Sequence, residues 1–186
     1  MVLVRGSVLF YDYGAPTWLA LAVAAAITLG ILVLYGAWVS RKLSGQPRFG
    51  FVVKWVALPV VILYCAYAMI FLARANAKTD SVRSAYLATH PLLRVALTTI
   101  ILVDGDLVIT DLARTAEDYR RMGLSAREAS LHYPQRDGWV HAVDLRTAGR
   151  GFVANTLIWI YFRAMGFDTL RHTGTADHLH VSLPLR

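Results

Sequence analysis

Two long stretches without a charged side chain dominate this sequence. Residues 13–40 carry no Asp, Glu, Lys or Arg, and a second uncharged stretch covers residues 55–73, with residues 51–54 leading into it. A helix of about 20 apolar residues crosses the hydrocarbon core of a bilayer, so each stretch is long enough to span. The other reading is a pair of buried core helices, but about 110 residues remain to cover them, too few for two helices of this length. A cleavable leader does not fit, because the first stretch is too long, its leading segment is weakly charged, and a second span follows at once. Trp18, Trp38 and Trp55 lie near the ends of the stretches, where interfacial aromatics are expected. Pro59 falls near the start of the second, where a missing N–H is tolerated.

The expected organisation is therefore a membrane anchor over residues 1–78, with transmembrane helices at about 15–39 and 51–73, and a soluble domain over residues 79–186. Composition agrees: 56% of residues are hydrophobic and only 17% charged, more apolar than an ordinary soluble domain. Arg41, Lys42, Arg48 and Lys54 lie between the spans with no acid among them, while Arg5 is the one basic residue before them. The positive-inside bias then places the connecting loop in the cytoplasm and both termini on the periplasmic or extracellular side of the cytoplasmic membrane, or of a virion membrane. Arg74, Lys78 and Arg83 pull the other way. The net charge of +7 does not signal nucleic acid, since no basic stripe interleaves with aromatics and several basic residues flank the apolar stretches. A lone cysteine, Cys65, allows no intrachain disulfide and leaves the compartment undecided. A transporter is disfavoured, because Lys54 is the one ionisable residue near a span interior and it lies close to an end.

All six histidines and eleven of the twelve acids follow Thr79. The soluble part reads as mixed α+β with a small antiparallel sheet and flanking helices. Asp80 is placed to cap a helix through Ala88, and Pro91 permits a helical turn from Leu92 to Val95. The β-branched run over 98–103 and residues 107–112 are expected as strands around the turn Asp104-Gly105-Asp106. Thr115 with Asp118 resembles a capping box for a helix over 116–122. A loop over 130–137, a strand over 139–145, a helix over 156–165 capped by Asn155, and closing strands over 167–171 and 178–183 complete the order.

Polar clusters remain at Arg114; Ser130 with His132; His141 with Asp144; His172; and Asp177, His178 and His180. On a strand, His178 and His180 share a face, whereas His141 and Asp144, three apart, fall on opposite faces and are not expected to serve one metal together. Alternation does not choose between these two. A catalytic zinc site needs three protein ligands and an open position, and a nearby carboxylate or histidine to take a proton from the bound water. His132, Asp144 and His180 as ligands, Asp177 as base and Arg114 as anion clamp would fill those roles. His90 reads as an ordinary polar residue.

The strings Ser130-Leu131-His132-Tyr133, Ala142-Val143-Asp144-Leu145 and His178-Leu179-His180-Val181 resemble the zinc motifs of D-Ala-D-Ala carboxypeptidases and dipeptidases, phage L-alanoyl-D-glutamate endopeptidases and the amino-terminal domain of hedgehog proteins. The residues Met165-Gly166-Phe167-Asp168 and the segment from Ile109 to Arg114 are similar too, so the likeness covers roughly residues 107–184. It implies zinc ligands His132, Asp144 and His180, a base at Asp177 in place of the usual glutamate, and a site histidine at His178. Ser130, His141 and His172 are expected to meet substrate. The gap from His132 to Asp144 is about five residues longer than the family's, residues 134–138 being the candidate insertion. The implied activity is hydrolysis of peptide stems or cross-links of peptidoglycan by a membrane-anchored zinc peptidase. The alternative is an inactive metal-binding module of a cell-envelope complex or a membrane-containing virus.

Overall fold

A computed structural model of the chain describes residues 1–114, 117, 120, 123, 130–174 and 177–184. It divides into two compact units, Met1–Ala68 and Met69–Arg186. The helix expected over 116–122, and its capping box, fall largely outside the described residues.

The first unit is helical. Helix α1 (Val2–Asp12) was not anticipated from sequence, yet Leu3, Val4, Ser7, Val8 and Tyr11 recur at helical spacing and form its buried stripe. This stripe packs on α2 (Thr17–Ser44), whose Ala20, Leu21 and Ala24 are buried in return. Helix α2 stops where Gly45 takes the left-handed conformation (φ 76°), a geometry that costs glycine little, with Arg41 and Lys42 in the last turn beside the unpaired carbonyls. The second apolar stretch is one 22-residue helix, Phe49–Ile70. Within it α3 (Phe49–Val52) passes through a π turn (Val53–Ala57) into α4 (Leu58–Ile70). The wider turn immediately precedes Pro59, whose ring crowds the preceding turn and which cannot donate to it. By length and composition α2 and Phe49–Ile70 can both cross a bilayer. Leu34, Leu43, Leu63 and Ile70 are exposed on them.

Gly36 is a point of close approach between these two helices: a Cβ built there would lie 2.6 Å from Val52 Cγ1. Val52 is β-branched and cannot swing away. Gly36→Ala is therefore expected to destabilise this unit by about 1–3 kcal/mol. Val52→Ala in the same chain should restore most of the loss, as read by denaturant titration in detergent.

In the second unit, Thr79 rather than Asp80 caps α5 (Asp80–Ser84), accepting the Val82 N–H, and a 3-10 turn (Ala85–Ala88) follows. His90 caps α6 (Pro91–Val103), its Nδ1 accepting the Leu92 N–H at 3.3 Å. The strand expected over 98–103 is instead the second half of α6, continuing a helix whose first half is buried and whose packing overrides β-propensity. Leu92 to Thr98 are all buried, Tyr86 Oη meets Thr98 Oγ1 at 3.3 Å, and Tyr161 Oη donates to Ala96 O at 2.9 Å. Helix α7 (Phe152–Met165) starts earlier than expected, from Gly151. Asn155 is inside it and buried, its Nδ2 donating to Thr147 O at 3.0 Å instead of capping the helix.

The sheet comprises β1 (Ile109–Asp111), β2 (Ala142–Arg146), β3 (Asp168–His172) and β4 (His178–Ser182) in the order β1-β2-β4-β3, antiparallel throughout. Val143, Leu145, Leu179 and Val181 are buried and alternate with Asp144, Arg146, His178 and His180, so the core takes one face and the polar side chains the other. Asp144 pairs with Asp111 on one side and with His180 on the other, and His178 pairs with Arg146 and His172. Register alone therefore sets Asp111, Asp144 and His180 in one row and Arg146, His178 and His172 in the next.

Candidate metal centre

His132, Asp144 and His180 each offer one ligand atom within 4.8 Å of the others. His180 Nδ1 lies 2.8 Å from Asp144 Oδ1 and 3.3 Å from His132 Nε2, and His132 Nε2 is 3.3 Å from the same carboxylate oxygen. Cross-strand register fixes the Asp144–His180 pair. His132 arrives from a turn that Ser130 closes, the Ser130 Oγ accepting the His132 N–H at 3.4 Å.

The outer contacts of these side chains suit ligation. His132 Nδ1 is 2.6 Å from Leu112 O, an acceptor only, so Nδ1 carries a proton and Nε2 is the ring nitrogen turned towards Asp144 and His180. Donation of the second ring N–H to a backbone carbonyl is the usual support of a metal-bound histidine. Arg114 braces the carboxylate: its Nη2 donates to Asp144 Oδ2 at 2.9 Å and its Nε to Asp111 Oδ2 at 2.5 Å. Burial alone would raise the Asp144 carboxyl, but hydrogen bonds from His132 and His180 and the nearby imidazoles outweigh it and hold Asp144 well below the usual range. The carboxylate is thus ready as an anionic ligand.

Around Asp144 opens a cavity of about 510 Å³ lined by residues that include Lys78, Asp111, Arg114, Arg146, Asp177 and His178. His178 Nε2 is 3.7 Å from Asp144 Oδ2, and His172 stacks on the His178 ring with centroids 4.7 Å apart. Asp177 is committed elsewhere: Arg171 Nε and Nη2 donate to its two oxygens at 2.8 Å each, and Thr147 Oγ1 donates at 2.6 Å. Those hydrogen bonds, from Arg171 first and Thr147 second, lower its carboxyl to about 2. Neither Arg171 nor Thr147 was singled out in the sequence, because both contacts join segments far apart in the chain or across a turn. Ser130 supports the His132 turn and is not part of the cavity lining, and His141 lies instead beside Asp137 and His90.

The lowered carboxyl of Asp177 has a consequence for acid stability. Its folded value lies below the ordinary 3.8, so its stabilising contribution is complete above about pH 4 and is lost as pH falls towards 2. Asp144 acts in the same direction. Asp177→Asn should therefore flatten, without abolishing, the loss of stability between pH 4 and 2, as read from denaturant midpoints at each pH.

The described residues hold a second group of comparable donors, His90, Asp137 and His141. Either group could hold a metal ion. No family model, curated protein or solved structure matches the chain.

Proposed function

We propose that the chain is a membrane-anchored zinc peptidase that hydrolyses peptide bonds in the stems or cross-links of peptidoglycan. One observation carries this reading: the convergence of His132 Nε2, Asp144 Oδ1 and His180 Nδ1, with the far side of His132 donating to Leu112 O and Arg114 bracing Asp144. Two imidazoles and one carboxylate suit zinc better than calcium or magnesium, which prefer all-oxygen sets. Three ligands leave a position for water, as catalytic sites do. The three motifs in their order, similar to those of the D-Ala-D-Ala peptidases, supply the substrate class.

Zinc held there would bring the pKa of its bound water down to about 7. His178, beside Asp144 in the cavity and stacked with the His172 ring, would serve as the base for that water. Asp177, expected in this role from its position before His180, has both oxygens engaged by Arg171 and Thr147 and so ties the residue before β4 to β3 and to Thr147. Arg114 lines the same cavity and can meet the oxyanion that develops on the scissile carbonyl. The apolar helices α2 and Phe49–Ile70 anchor the chain in the cytoplasmic membrane or a virion membrane, and the loop cations put the C-terminal unit on the outer side, where wall peptide is found.

The test is release of peptides from purified sacculi by the full-length protein in detergent, with and without added zinc. Zinc-dependent release that is lost in His180→Ala is expected; release that persists in His180→Ala would overturn the proposal. The engagement of Asp177 favours one second reading, a module that holds metal and binds an envelope partner without turnover. Stoichiometric zinc with no release from any wall fragment would select it.

A further inference from the structure

The second donor group has its own construction. Strand-like hydrogen bonds join Val140 N to Ala88 O and His90 N to Val140 O, both at 2.9 Å, which sets His90 at the start of α6 beside His141 at the start of β2. A tight turn supplies the third donor. Gly138 N donates to Gln135 O and Gln135 N to Trp139 O, at 2.8 Å each, while Asp137 Oδ1 accepts the Trp139 N–H at 3.1 Å. The turn closes through Gly138 at φ 81°, a conformation that favours glycine. Asp137 therefore belongs to the segment that lengthens the His132–Asp144 gap, and the segment carries a potential ligand.

The side chains converge. His141 Nε2 lies 2.9 and 3.0 Å from the two Asp137 oxygens, and His90 Nε2 lies 3.7 Å from Asp137 Oδ2. The latter distance is too long for a direct hydrogen bond. It is close to the ~3.4 Å that separates ligands placed about 2.1 Å from a tetrahedral ion. The His90 side chain is fully buried, that of His141 is 13% exposed and that of Asp137 is 36% exposed, so the group opens to solvent on the carboxylate side. None of the three lines the cavity around Asp144.

We propose that His90, Asp137 and His141 form a second metal site, structural in role, for a borderline divalent ion such as zinc. Two imidazole nitrogens and one carboxylate form a donor set for that class of ion, with water completing the coordination. The ion would tie the N-terminus of α6, the 135–138 turn and the start of β2 together. The site is weaker than the first, for a reason visible in the histidines. His132 donates from its outer nitrogen to Leu112 O, an arrangement that a metal on Nε2 preserves. His90 Nδ1 accepts from Leu92 N–H, and a metal on Nε2 would place a proton on Nδ1 and forfeit that bond. Loss of such an outer partner lowers metal affinity by about 10- to 100-fold.

The experiment is a zinc titration of the full-length, tag-free protein in detergent after chelator treatment. Two equivalents are expected to bind, the second about 10- to 100-fold weaker than the first. Asp137→Asn, whose amide can still accept the Trp139 N–H, and His141→Ala should remove the weaker equivalent and leave the tighter one. In a His132→Ala background zinc should still raise the thermal midpoint, and adding Asp137→Asn should abolish that rise. Saturation at one equivalent, or a second equivalent unchanged in Asp137→Asn, would overturn the proposal. Since both readouts concern binding, the outcome is independent of whether the protein cleaves peptides.

Discussion

His180→Ala is expected to remove the tight zinc site and to lower peptide release from sacculi by a factor on the order of 10³ or more, since bound water titrates near 7 and free water near 15.7. Among the three proposed ligands His180 is the safest to delete, because its side chain is 22% exposed whereas those of His132 and Asp144 are each 4% exposed. Truncation at a cross-strand position on the polar face of β4 leaves Leu179 and Val181 in the core undisturbed. The variant should therefore keep its circular dichroism spectrum and the weaker metal equivalent. His132→Ala and Asp144→Ala are expected to show the same loss of tight zinc, with some loss of stability as well, because each leaves buried polar partners unsatisfied. Full activity in His180→Ala with a normal spectrum would mean that this histidine holds no catalytic metal.

Arg114→Ala is expected to act twice. The guanidinium fork bridges Asp111 and Asp144, so its removal frees the ligand carboxylate and should weaken zinc by about 10- to 100-fold. If the same group also meets the oxyanion, kcat at saturating zinc should fall by about a further 10²- to 10³-fold. The two effects separate by measuring kcat against zinc concentration. Arg114→Lys retains a cation but cannot hold both carboxylates in one plane, so it should recover part of kcat and little of the zinc affinity. An unchanged zinc affinity in Arg114→Ala would show that the bracing contact is incidental.

The parts of the site carried by short-range regularity were legible in the sequence. Alternation put His178 and His180 on one face of β4, whereas the register that sets Asp144 opposite His180 joins strands more than thirty residues apart and was not read from the sequence. The two apolar stretches were equally plain, because length and lack of charge need no partner to be recognised. What escaped detection depends on contacts made at a distance. Thr98 to Val103 have strand-forming side chains, yet they continue a helix whose Thr98 and Ala96 are met by Tyr86 and Tyr161. Helix α1 is short and weakly charged, and its stripe has meaning only once α2 lies against it. His90 looked unremarkable because its neighbours, Asp137 and His141, lie more than forty residues away in sequence and meet it through two backbone hydrogen bonds. Asp177 sat at the expected offset before His180, but no sequence spacing announced that Arg171 and Thr147 would occupy its oxygens.

Whether His132 Nε2, Asp144 Oδ1 and His180 Nδ1 hold zinc is decided most directly by a crystal structure of the zinc-loaded protein with anomalous data collected across the zinc edge. A strong peak is expected about 2.0–2.2 Å from His132 Nε2, Asp144 Oδ1 and His180 Nδ1, with water in the remaining position and Arg114 still on Asp144 Oδ2. A zinc-saturated crystal whose peak lies away from these atoms, or that lacks a peak between His132 and His180, would contradict this ligand assignment.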